Sequence, residues 1–237
     1  RSCRIIMKAN ILKGKPILIT GGTGTFGETL VRRLLEEGAC RKIIILSRDE
    51  FKQHELQRLL ADPNDLLRFF LGDVRDQARL TRAFAGVDVV VHAAALKQVP
   101  ALEYNPLEAI KTNVFGTQNV IDAALDAEVE KVLLISTDKA VNPVNLYGAT
   151  KLCAEKLLVA ANAYGRKSPL TLFSVVRYGN VLGSRGSIVE VIREQKKSGA
   201  VTLTDTAMTR FLITPDKSID LVLCALEKMR GGEIFVP

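Results

Sequence analysis

From residue 16 onward, short runs rich in Ile, Val and Leu alternate with longer amphipathic stretches, and this rhythm constrains the chain more than any other feature. The runs fall at 16–20, 42–46, 67–71, 87–92, 131–136 and 171–177. They are apolar without a polar second face, which predicts strands buried on both sides of a parallel sheet. Between them, 29–37 places Leu30, Val31, Leu34 and Leu35 on one side of a helix, and 106–127 opens on a helix-compatible proline. Further helices are predicted at 188–197 and 216–229. Strand and helix in strict alternation predict the α/β class: a doubly wound parallel sheet. The regular pattern stops near 178. The expected division is a poorly packed leader over 1–13, a nucleotide-binding domain over 14–178, and part of a smaller substrate-binding region over 179–237. Glu233 to Pro237 reads as a strand just entered.

Composition narrows the function classes. With 47 % hydrophobic and 25 % charged residues, the 237-residue chain can bury a sizeable core. Cys3, Cys40, Cys153 and Cys224 show neither disulfide nor metal spacing, so no metal site is expected and a reducing cytoplasm fits best. Asp88 and His92 interrupt the longest apolar run, well short of the ~18 residues a membrane span needs, so no membrane association is expected. The net charge of +7 comes without a Lys/Arg block or Trp, which argues against nucleic acid and suits anionic small ligands.

The first turn carries the first chemical signal. TGGTGTFG at 20–27 joins the first strand to the first helix. There Gly21 permits a tight turn, Gly24 lets backbone approach a pyrophosphate, and Gly27 lets helix and strand pack closely. Thr23, Thr25 and Phe26 complete this dinucleotide loop. Where an NAD enzyme ends its second strand on a carboxylate, this chain has Ser47-Arg48. A guanidinium there, with Lys52 nearby, suits a 2′-phosphate, so NADP is the expected cofactor. Asp73 and Val74 follow the third strand at the adenine position, and Ala93 and Ala94 follow the fourth, leaving room for the cofactor backbone.

Tyr147 and Lys151 stand four apart, on one face of a helix. The ammonium is expected to lower the pKa of the phenol, so that phenolate takes a proton from a sugar hydroxyl while hydride leaves the same carbon. Just before them, at the carboxyl end of the fifth strand, Ser136-Thr137-Asp138-Lys139 points toward the ligand crevice of such sheets. Asp138 and Lys139 together supply an acid for a leaving hydroxyl and a base for a carbon-bound proton. His92 and His54 are read as structural.

At this point the chain resembles the extended short-chain dehydrogenases, with a Rossmann fold, and among them the inverting UDP-N-acetylglucosamine 4,6-dehydratases. The resemblance runs from about Gly14 to the end, through ALKQVPALEYNP (95–106), KTNVFGTQNVI (111–121), STDKAVNPVNLYGATK (136–151), RYGNVLGSRGS (177–187), MTRF (208–211) and GGEIFVP (231–237). The glycine loop and YxxxK belong to the whole superfamily. The discriminating string is STDKAVNPVNLYGATK, because retaining dehydratases carry Asp-Glu at the position of Asp138-Lys139. Tyr147 sets the chain apart from membrane-anchored relatives, which place another residue there.

The resemblance implies that Tyr147, with Lys151 and Thr137, oxidises C4 of a UDP-sugar substrate, passing hydride to NADP. Lys139 then removes the C5 proton while Asp138 protonates the departing C6 hydroxyl. It further implies cofactor contacts from Ser136 and Asn113, the latter steadying the active-site lysine, and substrate contacts from Lys97, Asn180, Arg185 and Arg210, with Arg210 on the diphosphate. A homo-oligomer is expected. Family members continue beyond the point where this chain stops, so the substrate-binding part is expected to be incomplete. Two other readings stay open: a UDP-sugar 4- or 5-epimerase of the same superfamily, and a silent dinucleotide sensor.

Overall fold

The computed structural model describes residues 10–62, 64–164, 171–184, 188–197, 199–202, 205 and 207–237. In chain order it contains β1 (Pro16–Thr20), α1 (Thr25–Glu37), β2 (Lys42–Ser47), α2 (Glu50–Leu59), β3 (Leu67–Leu71), α3 (Gln77–Phe84), β4 (Val89–His92), α4 (Val99–Tyr104), α5 (Pro106–Ile110), α6 (Gly116–Asp126) and β5 (Lys131–Thr137). There follow α7 (Leu146–Ala160), β6 (Leu172–Tyr178), β7 (Asn180–Val181), α8 (Ile188–Lys197), β8 (Leu212–Ile213), α9 (Pro215–Lys228) and β9 (Ile234–Phe235). Seven strands form one parallel sheet in the order β3-β2-β1-β4-β5-β6-β9. It is the doubly wound sheet that the alternation predicts.

Why both faces of each strand are apolar is visible in β1. Ile17 and Ile19 face a core shared with Leu30, Val31 and Leu34 of α1 and Val222, Leu223 and Leu226 of α9. Leu18, between them, faces the opposite core, with Phe84 of α3, Val120 and Ile121 of α6, and Leu158 of α7. The strand period of two thus sends alternate residues into two separate cores. α1 starts at Thr25, earlier than its apolar stripe suggests, because the end of the glycine loop already forms its first turn. It stops at Gly38, whose left-handed backbone (φ 58°) lets its N–H return to the carbonyls of Leu34 and Leu35.

Three departures from the sequence reading concern boundaries. Leu12 is wholly buried in the α1-side core, so tight packing begins before residue 13; residues 1–9 lie outside the described residues. Beyond 178, α9 packs on the sheet and β9 pairs with β6, so both belong to the nucleotide-binding layer. Only the intervening segment, with α8 and the separate β7-β8 pair, stands off it. The predicted continuous helix over 106–127 is α5 and α6 joined by a π turn at Lys111–Phe115. Asn113 holds that turn, as its side chain bonds the loop after β4 and its carbonyl accepts the Thr117 hydroxyl at 2.7 Å. Among the described residues no helix is long and apolar enough to cross a membrane, and no cluster of His, Cys, Asp or Glu could hold a metal ion.

Candidate active site

Strand order reverses direction between β1 and β4, and ligands of open α/β sheets bind at that switch, beyond the carboxyl ends of the strands. A cleft of about 760 Å³ lies there. The glycine loop forms one wall. Gly21 is left-handed (φ +68°), and a Cβ on it would lie 2.9 Å from backbone atoms of Ala94. A Cβ on Gly27 would lie 2.4 Å from the Cα of Gly22, backbone against backbone. Gly24, at the helix N-terminus, has only the Gly21 carbonyl oxygen near its missing Cβ, at 3.3 Å, and lines the cleft. Its bare backbone and the first-turn N–H groups form an anion cradle that side chains would fill. Gly27→Ala, with nowhere to relax, is expected to cost about 1–3 kcal/mol, read as a fall of roughly 2–4 °C in Tm per kcal/mol. A thermal melt matching wild type would refute this close packing.

Thr23, Thr25, Phe26, Ser47, Arg48, Lys52, Asp73, Val74, Ala93 and Ala94 all line this half of the cleft. Arg48 is more than half exposed and pairs loosely with Asp73, at 3.8 Å. Asp73 is held mainly by Arg75, at 2.7 Å. Partial burial opposes its ionisation, but the Arg75 hydrogen bonds prevail and hold its carboxyl below the usual range. Lys52 is engaged by Asp49 at 3.0 Å, and Gln53 donates to the Ser47 hydroxyl at 3.0 Å.

The other half gathers Lys97, Ser136, Thr137, Lys139, Tyr147, Lys151 and Asn180. Asn145 caps α7 through the Gly148 N–H at 2.9 Å, which puts Tyr147 in the first turn and Lys151 one turn on. Gly148 rests on the loop after β5 so closely that a Cβ would lie 2.1 Å from the Lys139 carbonyl oxygen. The Lys139 ammonium donates to Asp138 Oδ1 at 3.1 Å and to Asn180 Oδ1 at 3.0 Å. The Thr137 hydroxyl hydrogen-bonds the Tyr147 phenol and lies 2.9 Å from Asp138 Oδ1. Burial pushes the phenol of Tyr147 up to about 12, against the Thr137 hydrogen bond. Burial also pulls Lys151 down to about 8, opposed by Glu155. The expectation that Lys151 lowers the phenol pKa is therefore corrected: in this structure desolvation governs both groups.

Some expected residues fall elsewhere. Asn113 is buried and bonds Leu96 and Thr150, the neighbour of Lys151, rather than the cleft. Asp138 turns its carboxylate to Thr137 and Lys139. Arg210 is exposed, with its guanidinium on the Thr209 carbonyl at 2.7 Å, and does not line the cleft. Arg185 lies outside the described residues. Among the lining residues that had not been singled out are Tyr178 and Thr112. Tyr178 ends β6 and packs 6.2 Å from the Phe26 ring. Thr112 is buried, with no hydrogen-bond partner for its hydroxyl among the described residues. Nothing in its local sequence distinguishes it.

His92 is a satisfied core residue, with Thr20 at 2.7 Å and Thr117 at 3.1 Å on its two ring nitrogens. Burial, then the Lys151 charge, pull it from 6.5 to about 3. Above 6.5 the ring is neutral whether folded or unfolded. Below that the unfolded chain binds a proton the folded one refuses, so stability falls as pH drops from 6.5 toward 3. Urea midpoints measured across this window should fall more steeply for wild type than for His92→Gln. Equal slopes would remove His92 from the acid sensitivity.

Comparison with known proteins adds a lineage to this geometry. A family described as polysaccharide biosynthesis protein matches residues 17–237. A Campylobacter jejuni protein named UDP-N-acetylglucosamine 4,6-dehydratase (inverting) is 54 % identical over 230 residues, covering 96 % of this chain and 68 % of that protein. A Rickettsia rickettsii protein named UDP-glucose 4-epimerase is 47 % identical, over 94 % of this chain and 65 % of its own length. The chain thus spans about two thirds of these relatives. Among solved structures, a dTDP-glucose 4,6-dehydratase of Streptomyces venezuelae with NAD bound superposes with a TM-score of 0.81 at 28 % identity, covering 93 % of this chain and 74 % of that one. With the match running through the sheet, the glycine loop and the catalytic cleft, this chain belongs to the polysaccharide biosynthesis protein family.

Proposed function

We propose that the protein carries out NADP-dependent, inverting 4,6-dehydration of UDP-N-acetylglucosamine, with epimerisation at C5, in the cytoplasmic synthesis of a surface glycan. The observation that carries this reading is the presence of two proton-handling sets at one cleft: Tyr147 with Lys151, and Lys139, whose ammonium is held by the Asp138 carboxylate behind it. An enzyme that only exchanged hydride at C4 would need the first set alone.

The cleft fits a dinucleotide, because the glycine cradle has space only for backbone, and Arg48 at its rim offers a guanidinium to a 2′-phosphate. The bound nicotinamide supplies the hydride acceptor for C4 and the donor for C6. Tyr147 takes the O4 proton, with the Thr137 hydroxyl to orient it and favour the phenolate, and Lys151 one turn further along α7. Once C4 is a ketone the C5 proton is acidified, and Lys139 is the base that removes it. Asn180 holds the Lys139 Nζ at 3.0 Å from the β6 side. Asp138 is the acid that gives a proton to the departing C6 hydroxyl, which leaves as water. Return of a proton to C5 from the opposite face inverts that carbon. Lys97, Arg185 and Arg210 are the cations assigned to substrate, with Arg210 on the diphosphate.

Proton NMR in deuterated water, with the protein that carries this sequence, NADP and UDP-N-acetylglucosamine, tests the reading. A new C6 methyl signal, deuterium at C5 and inverted ring couplings are the expected result. A change at C4 with no methyl signal would sink dehydration and favour the 4-epimerase named for the Rickettsia relative; no change at all would favour the silent sensor.

A further inference from the structure

Beneath the cleft lies a buried charge that the proposed chemistry does not use. Glu155 sits on α7 one turn beyond Lys151 and is 1 % exposed. Its Oε1 accepts a hydrogen bond from the Ser136 hydroxyl on β5. Its two oxygens accept from the Arg177 guanidinium on β6, with Nε at 2.9 and 3.0 Å from them and a further short contact from a terminal nitrogen. Ser136 and Arg177 are paired in register, immediately before the pair Thr137 and Tyr178. One carboxylate therefore ties the carboxyl ends of β5 and β6, which lead into Thr137-Asp138-Lys139 and Tyr178-Gly179-Asn180, to the helix that carries Tyr147 and Lys151.

We propose that Glu155 is a positioning residue that sets both the placement and the charge balance of Lys151, acting from below the cleft and touching neither substrate nor cofactor. A fork–fork pair with Arg177 would suffice to bind β6 to α7. It does not by itself explain a carboxylate on the turn after the buried ammonium. Removing one member of a buried charge set leaves the others uncompensated, so the three charges Lys151, Glu155 and Arg177 act as one unit. In keeping with this, Glu155 opposes the effect of burial on Lys151 and holds Arg177 above the usual guanidinium range. The other titratable or charged groups around Lys151 are Tyr147 on α7, His92 on β4, Asp138 and Lys139 after β5, and Tyr178 on β6. Glu155, four residues along α7 from Lys151, is the anion that opposes the effect of burial on the ammonium.

The reading rests on the cleft being a Tyr147–Lys151 site, not on which sugar is dehydrated, so its test is made without turnover. In protein labelled with carbon-13 at the lysine Cε, Lys151 is identified by the signal lost in Lys151→Gln, and its titration is followed by chemical shift. Glu155→Gln is expected to lower the Lys151 midpoint by roughly one unit or more. Glu155→Asp should restore most of it. Arg177→Gln removes a cation and should move the midpoint up, which keeps the test open if Glu155→Gln does not fold. A merely structural tie predicts lower Tm in each variant with an unmoved midpoint. That result, in folded Glu155→Gln or folded Arg177→Gln, would overturn the proposal. A sugar assay that finds an epimerase would leave it standing.

Discussion

Replacing Tyr147 by Phe is expected to lower turnover of UDP-N-acetylglucosamine by roughly 10²–10⁴-fold, the usual contribution of a positioned proton-transfer group, while leaving Tm near that of wild type. The ring packs in the cleft wall and fills the same space without its hydroxyl. The lost hydroxyl has Thr137 as its described partner, and Thr137 keeps Asp138. With the phenol pushed up to about 12 by burial, proton removal from O4 depends on Lys151 beneath it and on what the bound nicotinamide adds. Activity should therefore climb with pH in wild type and be flat and low in the variant. Rates of methyl formation together with a thermal melt check both halves. Activity within tenfold of wild type, with an intact fold, would remove Tyr147 from the chemistry.

Lys139→Ala should separate the two halves of the reaction. Lys139 bridges Asp138 and Asn180, and in the proposed reaction it takes no part in the O4 proton transfer. Hydride removal from C4 should persist, visible as absorbance of reduced nicotinamide in a single turnover. Formation of the C6 methyl and uptake of deuterium at C5 should fall by roughly 10²–10⁴-fold. Loss of the reduced-nicotinamide signal along with the methyl would place Lys139 in the first step instead. Unchanged methyl formation would assign the C5 base elsewhere.

Much of this was readable from residue order because its causes are local. The strands around the switch point are unbroken β-branched or Leu runs, as buried parallel strands must be. The glycine loop announces itself because backbone touches backbone at Gly21 and Gly27, and no other residue fits. Tyr147, Lys151, Asp138 and Lys139 fall in one short stretch, so their company is visible without a fold. What escaped depends on contacts across the chain. Asn113 reaches Thr150, the neighbour of Lys151, from a π turn that no periodicity marks. Tyr178 and Arg177 reach the site only because β6 pairs with β5. Glu155 was within reach of a spacing argument, four residues after Lys151, but its meaning comes from Arg177. The direction of the Tyr147 shift was misjudged for a related reason: the Tyr-Lys spacing is written in the sequence, and the burial that raises the phenol is not.

The contact between Gly148 and the Lys139 carbonyl has a consequence for how such a site can change over time. Oxidation at C4 and elimination across C5 and C6 are chemically separate tasks, yet here their agents rest on one another with no side chain between. Neither loop nor helix can be re-aimed alone: a shift that improved the grip of Tyr147 on one sugar would carry Lys139 with it. Descendants of such a protein should therefore acquire new sugars through residues of the cleft wall outside this contact, such as Lys97, and leave the paired machinery in step.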